Sequence, residues 1–183
     1  LTDWMKPFED IIEKKWYNWD IEDNNINVTH SSSDRPYCVI SFRKWKNYCL
    51  ETKNKLKIKN KKVIKYFPFQ NYFKIITADN TEYYAEKIYD SRCTKEKKGE
   101  LLQHFFGVNI NVEDHTFDEN KLTLMHFTQE KNLLHFMYIL PFSHNKALVE
   151  STVFSKDVFK TSWYREKINE YLKLTNITDF KEN

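Results

Sequence analysis

Between Leu122 and Phe154 the chain carries three apolar runs, LTLMHFT, LLHFMYILPF and KALVESTVF, separated by short polar linkers. Each run has the length of a single strand. Each is rich in β-branched and aromatic residues and bounded by turn-like breaks, so the stretch predicts consecutive strands of one sheet. Glu150 sits at the centre of the third run. Side chains alternate faces along a strand, so Glu150 shares its face with Leu148, Thr152 and Phe154. An ionised carboxylate on an apolar face is costly. Two readings stay open: a glutamate solvated at a sheet edge, as is ordinary for this residue type, or an acid held protonated for a purpose.

The remaining composition mostly excludes. At 183 residues the chain fits one domain, or a piece of a larger one, and can bury a real core. It starts at Leu1 and ends at Asn183 soon after a helical pattern, which points to a piece. Acidic and basic residues are interspersed around a net charge of +3, so no nucleic-acid partner is expected. The densest basic stretch, Lys53 to Lys65, reads as a solvated strand pair or as a contact with an anionic membrane surface. Cys38, Cys49 and Cys93 form no Cys-x-x-Cys pair, so neither a disulfide framework nor a zinc site is expected, and a reducing cytosolic compartment is the simplest inference. His104, His115, His126, His135 and His144 fall on different predicted strands and loops, and no metal is expected. No apolar run approaches the roughly 18–20 residues that span a bilayer. No Gly-x-Ser-x-Gly, P-loop or Gly-x-Gly-x-x-Gly motif is present.

Ahead of the apolar runs, Trp4 to Trp16 reads as a helix with Met5, Phe8, Ile11, Ile12 and Trp16 on one stripe. The aromatics Trp16, Tyr17 and Trp19 read as core packing or as a greasy surface. Asn24 to Asp34 reads as a loop, with or without a short strand at Ile26 to Thr29. Tyr37 to Ile40 is a predicted strand, and Ser41 a predicted N-cap of a helix through Thr52 with Phe42, Trp45 and Cys49 inward. From Leu56 the period becomes two: Leu56 to Lys59, Val63 to Phe67, Tyr72 to Ala78 and Glu82 to Tyr89 read as a meander, with a tight turn at Asp79-Asn80-Thr81. Cys93 to Glu100 is a surface connection. Leu102 to Val112 begins a second sheet, and Ser162 to Leu174 is a helix with Tyr164, Ile168, Tyr171 and Leu172 on one stripe.

Several of these segments, in order and spacing, resemble the lycopene cyclases, flavin-dependent enzymes that form carotenoid rings. They are Leu102-Gln103-His104-Phe105-Phe106-Gly107, Phe117-Asp118, Leu124-Met125-His126-Phe127, Phe136-Met137-Tyr138-Ile139-Leu140-Pro141-Phe142-Ser143 and Ala147-Leu148-Val149-Glu150-Ser151-Thr152. Upstream, Ile88-Tyr89-Asp90-Ser91-Arg92 looks like the family's strand ending in an Asp-x-Arg triplet. The chain departs from the family at His126, where an acidic residue is usual, and at Cys93, where glycine is common.

The resemblance implies a mixed α/β (α+β) fold: part of an FAD-binding Rossmann-like flavoprotein of the p-hydroxybenzoate-hydroxylase type, with a substrate-binding antiparallel sheet and without the N-terminal Gly-x-Gly-x-x-Gly unit. Residues 1–95 would be a partial FAD-domain-like region with helices and meander, and 96–183 the substrate-binding sheet and C-terminal helix. The implied reaction is proton-initiated cyclisation of the ψ-end of lycopene to a β-ionone ring without net redox change. Glu150 would be the acid, His126 the acceptor of the departing proton, and reduced FAD, with NAD(P)H as reductant, the stabiliser of the cation. Asp90 and Arg92 would contact the flavin, and Phe127, Phe136, Tyr138, Phe142, Leu148 and Phe154 would line the substrate site. The partners would be lycopene or a related linear carotenoid, and the place cytoplasmic, peripheral to the inner membrane. Alternatives are another FAD-dependent prenyl-lipid enzyme, a reductase or monooxygenase, and a non-catalytic hydrophobic-ligand-binding module.

Overall fold

The structure is a computed structural model that describes residues 3–51, 57–92, 99–113 and 116–183. Leu56, Thr52, Cys93 with most of the expected surface connection, and His115 lie outside the described residues. In chain order a 3-10 helix Asp3–Ile11 leads to β1 Lys14–Trp16, β2 Asn18–Glu22, β3 Asn27–Ser31, β4 Tyr37–Val39 and α1 Phe42–Glu51. Then come β5 Val63–Pro68, β6 Phe73–Thr77 and β7 Glu82–Ala85, followed by β8 Leu102–Val112, β9 Lys121–Phe127, β10 Leu134–Ser143 and β11 Lys146–Ser155. Helix α2 Thr161–Leu174 and β12 Phe180–Glu182 complete it.

Two compact units result: residues 1–48 with 97–183, and residues 49–96. This is not the division expected at residue 95. The first 48 residues belong with the second half of the chain because β2 and β3 are strands of its sheet, ordered β12-β8-β11-β10-β9-β2-β3. The pairing of β2 with β9 is parallel, and the other pairs are antiparallel. Asp20 lies in the middle of β2 and is buried, which its sequence context did not suggest. It is tolerated because Lys121 reaches it at 2.6 Å and the Thr29 hydroxyl donates to it at 2.6 Å.

One face of the sheet is sealed by α2. Ala147, Val149 and Val153 on β11, Met137 and Ile139 on β10, and Val108, Ile110 and Val112 on β8 are buried. Most of them form a single core with Ile168, Leu172 and Ile177. Tyr164, Ile168 and Leu172 recur every four residues, which gives α2 its inward stripe. Each fully buried aliphatic side chain there contributes about 1.5–3 kcal/mol. Helix α2 ends where Asn176 takes φ 60° and the Ile177 N–H bonds back to the Leu172 carbonyl at 2.7 Å. In this glycine-poor chain asparagine also takes positive φ at Asn80 and Asn132.

The first helix is shorter and of another kind than its apolar spacing predicts. Pro7 lies inside a 3-10 segment that ends at Ile11, and by Lys14 the chain is a strand paired with β4. Trp16 is therefore a strand residue. It is fully buried, and its indole N–H donates to the Pro141 carbonyl at 3.2 Å. Ser41 caps α1, its hydroxyl accepting from the Lys44 N–H at 3.3 Å. The inward turn expected of α1 is not seen, since Phe42 is 78% and Trp45 41% exposed. In the other unit β5, β6 and β7 form an antiparallel meander. Its 79–81 turn is held by Asp79, which accepts from the Thr77 hydroxyl at 2.6 Å. Residues 57–59 are not a strand, and β7 stops at Ala85 rather than Tyr89.

Candidate active site

Opposite the α2-covered face, the sheet presents Leu148, Glu150, Thr152 and Phe154 of β11. Glu150 pairs in register with Tyr138 on β10 and with Gly107 on β8. Gly107 is in mid-strand, where glycine ordinarily weakens a sheet. Here a Cβ would stand 3.1 Å from Leu148 Cδ1 and 3.3 Å from Glu150 Cβ, so the bare backbone leaves room for the acid to lean over it. The Thr152 hydroxyl donates to Glu150 Oε1 at 2.8 Å. Burial pushes the Glu150 carboxyl above its ordinary value of 4.5, against the Thr152 hydrogen bond, which favours the anion.

Around the acid the face is aromatic. Phe127 on β9 pairs with Phe136 on β10, their ring centroids 5.9 Å apart, and the Phe136 and Phe154 rings are 6.5 Å apart. A row of three phenyl rings thus crosses three strands beside the Glu150–Tyr138 row. At the other side Leu148 and Phe142 pack with Trp16, Leu122, Leu140 and Tyr37. The Tyr138 hydroxyl donates to the Tyr37 hydroxyl at 2.8 Å, which ties β4 to the sheet. Phe127, Phe136, Tyr138, Phe142, Leu148 and Phe154 therefore share the face of Glu150.

His126 does not join them. It pairs with Met137, whose side chain lies in the α2-side core, so the imidazole is on the far side of the sheet from Glu150. There its Nδ1 is 3.0 Å from Glu22 Oε1 and its ring is 5.3 Å from Tyr171 of α2. The other described histidines are engaged singly. His104 lies 2.9 Å from the Ser155 hydroxyl and also bonds the Tyr164 hydroxyl. His135 is enclosed between the hydroxyls of Ser151 (2.8 Å) and Thr128 (2.6 Å). Burial pushes its imidazole down to about 4, so it is neutral at pH 7.

Asp90 and Arg92 belong to the meander unit. The Arg92 guanidinium grips Asp90 through Nε at 2.8 Å and a second nitrogen at 2.6 Å, and donates to the Val63 carbonyl at 3.0 Å. These bonds hold the Asp90 carboxyl down at about 2. The pair borders a cavity of about 310 Å³ lined also by Tyr66, Ile75 and Tyr89. Sequence reasoning missed Thr152 as the partner of the acid and Gly107 as its floor. Both had a signal: Glu-x-Thr puts a hydroxyl beside a carboxylate on one strand face, and a lone glycine inside a strand pattern marks a close approach.

Lycopene beta cyclase from the chloroplast of Nicotiana tabacum is 28% identical, over 81% of this chain and 35% of its own, so the present chain spans about a third of that relative's length. Among solved structures, an FAD complex of HpxO from Klebsiella pneumoniae superposes with a TM-score of 0.62 at 10% identity, over 98% of this chain and 55% of that one. The halogenase PltM gives 0.61 at 10% identity, over 92% and 42%. At such identities the likeness is one of fold: this chain has the mixed α/β fold of part of each of these proteins. Residues 2–180 match the lycopene cyclase protein family, and the chain belongs to that family.

Proposed function

We propose that this chain forms the substrate sheet of a lycopene β-cyclase and that Glu150 is its acid. The observation that carries the reading is the single face holding one carboxyl, raised by burial, among six apolar or aromatic side chains. A ψ-end of lycopene offers no polar handle and must be recognised by such a surface. Glu150 gives its proton to a carbon of the terminal double bond: the O–H bond breaks, a C–H bond forms, and a tertiary carbocation and a carboxylate remain. The neighbouring double bond attacks the cation and closes the ring. Loss of a ring proton then restores a double bond. With His126 across the sheet, the carboxylate of Glu150 is the base on the correct face to take that proton back, which returns the acid to its starting state. The Thr152 hydrogen bond stabilises the carboxylate in the interval.

FAD, kept reduced by NAD(P)H, belongs to the proposed holoenzyme. A dinucleotide's pyrophosphate needs free backbone N–H groups of a glycine-rich turn at a helix N-terminus. Helices α1 and α2 of this chain follow Ser41 and Lys160 instead, with no glycine beside them. The described residues do not compose a site for the whole cofactor, and no step above runs through it. Asp90 and Arg92 are proposed as one edge of that site, a role their mutual ion pair allows only through the groups they leave uncovered. No described helix is long and apolar enough to cross a membrane. We infer that the carotenoid is drawn from a bilayer that the protein touches peripherally.

The full-length gene, co-expressed in a lycopene-accumulating host, is expected to turn the red pigment to orange-yellow cyclic carotenoid. Pigment that stays red while the protein is present and folded leaves a binding module and sinks the cyclase reading.

A further inference from the structure

We propose that Tyr138 is a catalytic residue of this site: its ring, oriented by the hydrogen bond to Tyr37, faces the carbocation formed when Glu150 gives up its proton. The inference rests on the cyclisation reading above and names the protein group that meets the positive charge.

Placement carries the first part. Tyr138 is the direct cross-strand partner of Glu150. Directly opposed residues hold their Cβ atoms about 4.5–5.5 Å apart on one face. A substrate carbon within reach of the carboxyl is therefore within reach of this ring. Tyr138 is half-buried, whereas Phe136, the next aromatic on the strand, is 5% exposed and covered by its neighbours. Tyr138 thus has surface left to present.

Charge carries the second part. A desolvated tertiary cation needs negative potential close by. Besides Tyr138, the register positions around Glu150 are Leu148, Thr152, Phe136, Leu140, Phe105, Gly107 and Asn109. None of these is charged, so the candidates on this face are the carboxylate itself and the π faces. An aromatic face is negative and attracts a cation within about 6 Å of the ring centre. The Tyr138 hydroxyl acts as donor to Tyr37 at 2.8 Å, which fixes the ring's tilt and leaves the phenol neutral and electron-rich. The row of Phe127, Phe136 and Phe154 beside it keeps out water, which would otherwise trap the cation as an alcohol.

The bland alternative is that Tyr138 only tethers β4 to the sheet. Fluorinated side chains separate the two, because fluorine drains the π face while nearly preserving shape. In the protein expressed from the full-length gene, position 138 is changed as Tyr138→Phe and then as Tyr138→mono-, di- and trifluorophenylalanine. For each, kcat and KM of lycopene cyclisation and the thermal midpoint are measured. The expected result is a stepwise fall in log kcat with each fluorine, roughly tenfold or more across the series, with KM and the thermal midpoint flat. A kcat that stays level across the series overturns the proposal. So does a fall in kcat matched at each fluorine by a fall in the thermal midpoint, since this assigns the effect to packing and not to the charge on the ring. If the unaltered protein forms no ring at all, the cyclisation reading itself falls, an outcome distinct from a flat fluorine series.

Discussion

Glu150→Gln is expected to lower ring formation by about 10²- to 10⁴-fold, the range a positioned general acid contributes, while the protein folds and retains its partners. Glutamine keeps the volume and an oxygen for the Thr152 hydroxyl, 2.8 Å away in the native protein, but it has no proton to give. The pH dependence follows from the raised carboxyl. Glu150 stays protonated above the ordinary 4.5, so kcat is full at low pH and falls as pH rises through the raised value. For stability the sign is the same. The folded state binds the proton more tightly than the unfolded chain, so stability decreases as pH rises through that interval. Glu150→Gln removes this loss, and its unfolding midpoint at neutral pH should equal or exceed that of the native protein. Loss of activity with an unchanged or higher midpoint separates an acid from a structural glutamate. Activity retained in Glu150→Gln removes Glu150 from the role.

Trp16→Ala is expected to destabilise the 1–48/97–183 unit by about 3–5 kcal/mol, read from denaturant unfolding. The side chain is fully buried, packs edge-on against Phe142 at 5.9 Å between centroids, and joins Leu122 and Leu140 in the core on the Glu150 side of the sheet. Its indole N–H also satisfies the carbonyl of Pro141, which sits where β10 shifts register. Trp16→Phe separates the two contributions. It keeps most of the packing and loses the hydrogen bond, and about 1–3 kcal/mol of the total is expected from that carbonyl alone. Equal losses in the two variants would mean that the hydrogen bond, and not the ring's volume, anchors β1.

The strands that carry the site were legible because their apolar runs are long and locally paired. β8 matches its expected bounds, and β9, β10 and β11 follow one another as hairpin neighbours. The face of Glu150 followed from alternation alone. His126 shows where alternation stops being enough. Leu122 and His126 are an even number of residues apart and should share a face, yet Leu122 packs on the Glu150 side and His126 opposite Met137 on the α2 side. The register shift in the β9–β10 pairing accounts for this, because one extra residue exchanges the faces of everything beyond it. A bulge of this kind leaves no pattern in a seven-residue strand. β2 was missed for another reason: its partner β9 lies about a hundred residues away, and Asp20 at its centre looks like a surface residue until Lys121 is beside it. Phe42 and Trp45 on α1 lie on a helical stripe but meet no core.

The central claim is that a proton from Glu150 opens the reaction, and isotope incorporation tests it most directly. The protein expressed from the full-length gene is given lycopene in deuterium oxide, where the exchangeable carboxyl of Glu150 carries deuterium, and the cyclic product is weighed by mass spectrometry. The account predicts a single deuterium retained for each ring formed, and none in the lycopene recovered from Glu150→Gln. Under single-turnover conditions, with the protein in excess and already exchanged in deuterium oxide, a ring formed without deuterium would contradict it.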